Sequence, residues 1–235
     1  REGDETDLRI GALAADFVPN GATLQFGVGT IPGATVRALI GAGRKDLRIL
    51  SMLTDPAMHL IEAGAGTVDG PSAFVGDILG SQALYRWVDD NPAVSMVSDA
   101  VESHGLENVS RWEPLVSINS ALDVDLYGQV NSEVTDGRTV GAIGGGLDFA
   151  MAAQMPGGTS VIALRSATRH GGSRIVPVLP AGPVTQPRSL QQFVVTEYGV
   201  ADLRDKSVRE RAVVLAGIAH PDHRDALRAA AMRLE

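Results

Sequence analysis

The chain has 235 residues, 44% hydrophobic and only 4% aromatic, with 27 glycines, no cysteine and a formal net charge of −8. That length buries a full core, and the abundance of Gly, Ala and Val suits an α/β domain with tight turns. The acidic balance excludes a global basic field for nucleic acid or an anionic membrane. The lack of cysteine excludes disulfides, thiolate metal sites and a Cys nucleophile, and fits a reducing cytoplasm.

No apolar run approaches the roughly 20 residues that cross a bilayer, and no signal peptide is expected. Arg1 rather than Met stands first, so the chain is expected to begin inside a longer product. Asp4 to Phe17 reads as a helix, with Leu8, Ile10, Leu13, Ala14 and Phe17 at three- and four-residue steps and acidic residues at its start. Thr23–Phe26 is a short strand. Gly27-Val28-Gly29-Thr30-Ile31-Pro32-Gly33 then turns into a helix from about Pro32 to Ile40. Strand, glycine loop and helix start can offer an anion several N–H groups; the same loop can simply join two elements.

Leu47–Met52 is the next strand, and Asp55–Ala63 a helix with Asp55 as its N-cap. Ala73–Leu79 and Val94–Val97 read as strands, Gly80–Asp89 as a helix, and Asp99–Asn108 as loop or short helix. Ser117 to Phe149 organises the rest. It holds a strand at Asp123–Leu126, a turn at Tyr127-Gly128-Gln129, and a loop with the consecutive glycines Gly144-Gly145-Gly146. Such a run lets backbone approach a ligand and aim N–H groups at one acceptor, or it is merely a tight turn.

Thr159–Leu164 and Ile175–Leu179 read as strands. The loop between them carries Arg165, Arg169 and His170, which could hold phosphates or simply be solvated. Phe193–Thr196 is a strand that ends beside Glu197, for which a structural role is preferred. Gly199–Leu203 is read as a turn into a polar linker. Ser207–Ala216 is a helix with a Ser207/Glu210 capping box, and Arg224–Leu234 a last amphipathic helix. His220, Asp222 and His223 lack a third partner at ligand spacing, so no metal is expected there. Alternating strands and helices imply an α/β fold with a mainly parallel sheet and helices on both faces.

Asn119-Ser120-Ala121-Leu122-Asp123-Val124-Asp125-Leu126-Tyr127-Gly128-Gln129-Val130-Asn131-Ser132-Glu133 followed by Ile143-Gly144-Gly145-Gly146-Leu147-Asp148-Phe149 closely resembles the C-terminal domain of the acetyl-CoA hydrolase / 4-hydroxybutyrate CoA-transferase family. Ser173-Arg174-Ile175-Val176-Pro177, Val194–Leu203, Arg209–Ala212 and Ala219-His220-Pro221-Asp222 extend the resemblance in the same order. It implies that residues 1–235 form the second of two related α/β domains of a class I CoA-transferase-like tandem. By the resemblance, the first domain is expected outside this chain and the cleft between the two halves. It further implies CoA or acyl-CoA as substrate, a small carboxylate acceptor, no tightly bound cofactor, and a homo-oligomer, a dimer being expected.

By the same resemblance, CoA would contact Gly27, Val28, Gly29, Thr30 and Ile31, then Gly141, Gly144 and Gly145, with His170 or Arg169 where the family has a lysine. The family's nucleophilic glutamate has no counterpart. Leu47-Arg48-Ile49-Leu50-Ser51-Met52 is one residue short, and Leu50, Ser51 or Met52 falls at that place. Ser51 as nucleophile would need a base, of which His59 is the nearest in sequence; a small residue at a strand end is the preferred reading. Two functions follow from the resemblance: CoA transfer between carboxylates or hydrolysis of a short acyl-CoA, or a catalytically inactive CoA-binding paralogue or partner subunit.

Overall fold

The computed structural model describes residues 3–97 and 99–234. The strands are β1 (Thr23–Phe26), β2 (Arg48–Thr54), β3 (Ala73–Leu79), β4 (Val94–Met96), β5 (Leu115–Ser120), β6 (Asp123–Asp125), β7 (Val130–Asn131), β8 (Val134–Thr135), β9 (Arg138–Thr139), β10 (Thr159–Ala163), β11 (Ile175–Val176), β12 (Phe193–Thr196) and β13 (Gly199–Asp202). The helices are α1 (Glu5–Ala15), α2 (Thr30–Gly41), α3 (Asp55–Glu62), α4 (Gln82–Val88), α5 (Ala100–His104), α6 (Leu106–Val109), α7 (Gly146–Ala152), α8 (Val208–Gly217) and α9 (Pro221–Ala231).

An eight-stranded sheet runs in the order β13-β12-β10-β5-β1-β2-β3-β4, parallel throughout except for β13 at one edge. From β1 the chain builds outward through β2, β3 and β4, then returns to the other side of β1 with β5. The order therefore reverses between β1 and β5, and the crevice at the carboxyl ends of such strands is where open α/β sheets bind ligands. Along β10 and the residue after it the side chains alternate: Val161 and Ala163 join the core under α1 to α4, while Ile162 and Leu164 join the core under α8 and α9. A smaller cluster of Leu50, Val109, Leu115, Phe149 and Ala152 packs α6 and α7 against the sheet. Both faces are thus covered, as a parallel sheet requires.

The sequence reading has no strand at β5, which with β1 forms the middle of the sheet; the strand read at Asp123–Leu126 lies outside it, in a three-stranded sheet of β11, β6 and β7. β11 stops at Val176, because Pro177 has no N–H with which to continue the ladder. Gly199–Asp202 is no linker but an antiparallel strand, turned back on β12 with Thr196 opposite Gly199. α2 starts at Thr30, so Pro32 sits inside the first turn, where a missing N–H costs nothing. Thr54 rather than Asp55 holds the N-cap position of α3, without a side-chain cap bond, and the Asp55 carboxylate instead accepts the Ser81 N–H at 3.0 Å and the Ser81 hydroxyl. α8 carries the expected capping box.

Arg165 fixes the loop after β10 to α1. Its Nε donates to Asp7 Oδ1 at 2.9 Å, and its Nη2 lies 2.7 Å from Asp7 Oδ2 and 3.0 Å from Asp4. The hydrogen bond it donates to Asp7 leads the causes that hold the guanidinium above its ordinary range. Asp7 is 1% exposed, so removing its partner leaves a buried charge. Arg165→Met is expected to lower stability by about 2–3 kcal/mol, less than for a fully buried pair because solvent screens the arginine. An unchanged denaturation midpoint would show that the pair contributes nothing.

Candidate active site

β1 and β2 pair only at Thr23–Arg48 and Leu24–Ile49, so beyond Ile49 the two strands part. β2 continues against β3 alone, and their register slips: Ser51 faces Val75, but Met52 faces Asp77. β3 therefore has one residue more than β2 at this point. Ser51 takes φ +80°, a conformation that costs a residue with a side chain about 1–2 kcal/mol. The gap so opened is the wall of a cavity of about 570 Å³ at the carboxyl ends of β1 and β5.

The cavity's polar wall is tightly bonded. Gln25 of β1 accepts the Ser117 hydroxyl at 2.7 Å and the Asn119 amide at 3.0 Å, and donates back to Asn119 Oδ1 at 3.1 Å. This closed set ties β1 to β5 where the cavity begins, and each member limits the rotamers of the others. Opposite stand Ser51 and His104. The Ser51 hydroxyl lies 3.2 Å from His104 Nε2, and the other ring nitrogen, Nδ1, lies 2.6 Å from the Ser103 hydroxyl. The imidazole also stacks tilted on Phe149, with centroids 5.2 Å apart.

Gly27 and Val28 line this cavity, and so do Gly141, Gly144 and Gly145. Two glycine segments far apart in sequence thus meet at one site. Gly29 and Thr30 face a separate cavity with His59, and Ile31 is buried in the core. Gly144 has φ +54° and leads into α7, a helix whose start the glycine run hides from propensity. Gly145 is required for another reason: a Cβ there would overlap the His104 ring and crowd Phe149.

Several sequence candidates lie elsewhere. His59, the candidate base nearest to Ser51 in sequence, pairs with Glu62 on the exposed face of α3. The imidazole beside Ser51 is that of His104, 53 residues away in sequence, and no local pattern announced it. His170 and Arg169 line a larger cavity of about 800 Å³ with Arg174 and Asp123. Asp123 and Asn131 line that cavity while their neighbours Leu122 and Ser132 line the smaller one, so the β6–β7 hairpin divides the two. Glu197 accepts the Ser166 N–H at 2.9 Å and the Ser166 hydroxyl at 2.6 Å, a brace for the loop after β10. His220 caps α9, and His223 Nε2 lies 2.7 Å from the Gly171 carbonyl. Among the described residues no group of three or more His, Cys, Asp or Glu could hold a metal, and no helix is long and apolar enough to cross a membrane.

No glutamate lines the cavity beside Ser51 among the described residues; Asp77, exposed on β3, is its one carboxylate. In the larger cavity, burial pushes the Asp123 carboxyl up, against the bond from Asn131 and the charge of Arg174. A carboxyl whose folded pKa exceeds its unfolded value binds its proton longer in the folded state, so its contribution to stability falls as pH rises through that window. Asp123→Asn is expected to remove that one contribution, so across the acidic range the variant's melting temperature should gain on the parent's as pH rises; two parallel curves would refute it. Gly145→Ala is expected to cost about 1–3 kcal/mol through overpacking. It should also shift the His104 ring resonances; an unmoved ring would refute the contact.

The acetyl-CoA hydrolase/transferase C-terminal domain family matches residues 80–231. Over 232 residues the chain is 38% identical to the 4-hydroxybutyrate coenzyme A transferase of Clostridium kluyveri, covering 95% of this chain and 53% of that protein. Over 235 residues it is 36% identical to the butyryl-CoA:acetate CoA-transferase of Anaerostipes caccae, covering 95% and 52%. The crystal structure of a 4-hydroxybutyrate CoA-transferase from Porphyromonas gingivalis superposes with a TM-score of 0.85 at 37% identity, over 99% of this chain and 56% of that one. The chain spans about half the length of the curated relatives it matches.

Proposed function

Because the chain belongs to the acetyl-CoA hydrolase/transferase C-terminal domain family, we propose that it serves acyl-CoA chemistry, either moving CoA between carboxylic acids or hydrolysing a short acyl-CoA. One observation carries this reading. Gly27–Val28 and Gly141–Gly145, apart in sequence, line a single cavity at the point where strand order reverses. Glycine segments of this kind let main-chain N–H groups come close to a thioester oxygen and stabilise the charge that develops there. The volume of about 570 Å³ is that of a small-molecule site. A further CoA-transferase domain, on the same product or another chain, would complete the cleft and supply part of the acyl pocket.

A second reading is CoA binding without turnover, by an inactive paralogue or a partner subunit. It is favoured by the lack of a glutamate in the cavity lining among the described residues. A carboxylate nucleophile can carry CoA between acids through an anhydride and an enzyme thioester, a route closed to a hydroxyl.

The full-length gene product separates these readings when mixed with acetyl-CoA, with and without succinate, while free thiol, succinyl-CoA and bound CoA are followed. Thiol release without succinate is the result expected of a hydrolase, and succinyl-CoA formation that of a transferase. CoA bound without either product supports the second reading. A protein that neither binds CoA nor turns over the thioester would sink both.

A further inference from the structure

We propose that Ser51 and His104 form a nucleophile–base pair, through which this chain hydrolyses acyl-CoA by way of an acyl-serine. The inference rests on the reading of this cavity as an acyl-CoA site. Its warrant is geometric. The Ser51 hydroxyl faces His104 Nε2 at 3.2 Å, within reach of proton transfer. His104 Nδ1 faces the buried Ser103 hydroxyl at 2.6 Å, so that Nδ1 can hold the hydrogen and leave Nε2 free to accept. Nucleophile, base and a third group that orients the base are the three parts such a site needs.

The backbone adds to the case. Ser51 stands in the left-handed region at the bulge where β2 is a residue shorter than β3, which turns its hydroxyl into the cavity instead of the ladder. Gly145 leaves room for the imidazole, and Phe149 supports it. Sharply turned, strained positions of this kind gather at functional sites.

The chemistry balances with water as the only co-reactant. Ser51 Oγ attacks the thioester carbonyl carbon and its proton passes to His104 Nε2. The carbon–sulfur bond breaks, and the sulfur leaves as CoA thiol with the proton that His104 held. Water then gives a proton to His104 and attacks the acyl ester. The carboxylic acid departs, and the proton returns to Ser51. Ser103 touches neither substrate nor reacting atom and is a positioning residue.

The test uses the full-length gene product and two probes. A fluorophosphonate, which carries no CoA moiety, reports a base-activated serine by mass spectrometry. Acetyl-CoA reports hydrolysis, and CoA binding is measured separately. Ser51→Gly keeps the left-handed backbone, so loss of folding does not confuse the result. The expected outcome is labelling at Ser51 that Ser51→Gly and His104→Gln abolish, with hydrolysis lowered roughly 10²- to 10⁴-fold. Ser103→Ala is expected to shift the pH profile of hydrolysis while KM stays put, which a merely structural serine would not do. Absence of Ser51 labelling overturns the proposal. So does a Ser51→Gly protein that hydrolyses acetyl-CoA within about twofold of the parent, a result that would move the chemistry to Asp77. CoA binding without labelling or turnover also overturns it and leaves the acyl-CoA reading standing. Ser51 labelling without CoA binding upholds the pair and removes that reading instead.

Discussion

A mismatch of one residue between two neighbouring parallel strands governs the site. After Ser51 the partner of β2 jumps from Val75 to Asp77, so the ladder cannot stay regular there. A parallel pair has evenly spaced bonds and no turn nearby to absorb the offset, so the backbone itself bends. Ser51 accordingly takes a positive φ, and β2 leaves β1 after Ile49. Without that parting there would be no opening between β1 and β2 for a ligand to enter.

Everything else around the cavity fixes this irregular point in place. The Gln25–Ser117–Asn119 bonds hold β1 to β5 on one side. On the other, α7 brings Phe149 under the imidazole of His104. The reversal of strand order between β1 and β5 places the loop after Phe26 and the segment before α7 at the same end of the sheet. Two glycine-rich segments more than a hundred positions apart thereby face one another. Rigid elements carry the polar groups, and the segments with little side chain provide close main-chain approach, a division suited to a large, anionic ligand.

The periodic and punctuated parts of the chain were legible. Thr23–Phe26, Ala73–Leu79 and Phe193–Thr196 are strands at the bounds the sequence suggests, and Ser207 with Glu210 marks the start of α8. Local reading failed where tertiary placement decides. Leu115–Ser120 carries Ser, Asn and Ser among its apolar residues, and those polar groups make sense only once Gln25 is beside them. Gly146 opens a helix that propensity alone disfavours. Gly199–Asp202 is short and poor in strand formers, and becomes a strand because β12 offers it an edge.

The site was half legible for the same reason. Both glycine segments and the shortened β2 were visible as residues in a row. The Ser51–His104 contact spans 53 positions and depends on the packing of a five-residue helix against β2 and β3. Proximity in sequence pointed to His59, which faces away with Glu62. Cations grouped in one loop likewise suggested one site, but Arg165 is bound to α1 while Arg169 and His170 line the larger cavity.

The most direct measurement is a crystal structure of the full-length gene product with CoA bound. The account expects the thiol end between Gly27–Val28 and Gly141–Gly145, with its sulfur within about 4 Å of the Ser51 hydroxyl, close to the separation of reacting atoms. CoA seated in the larger cavity beside His170, with its thiol remote from Ser51, would contradict it.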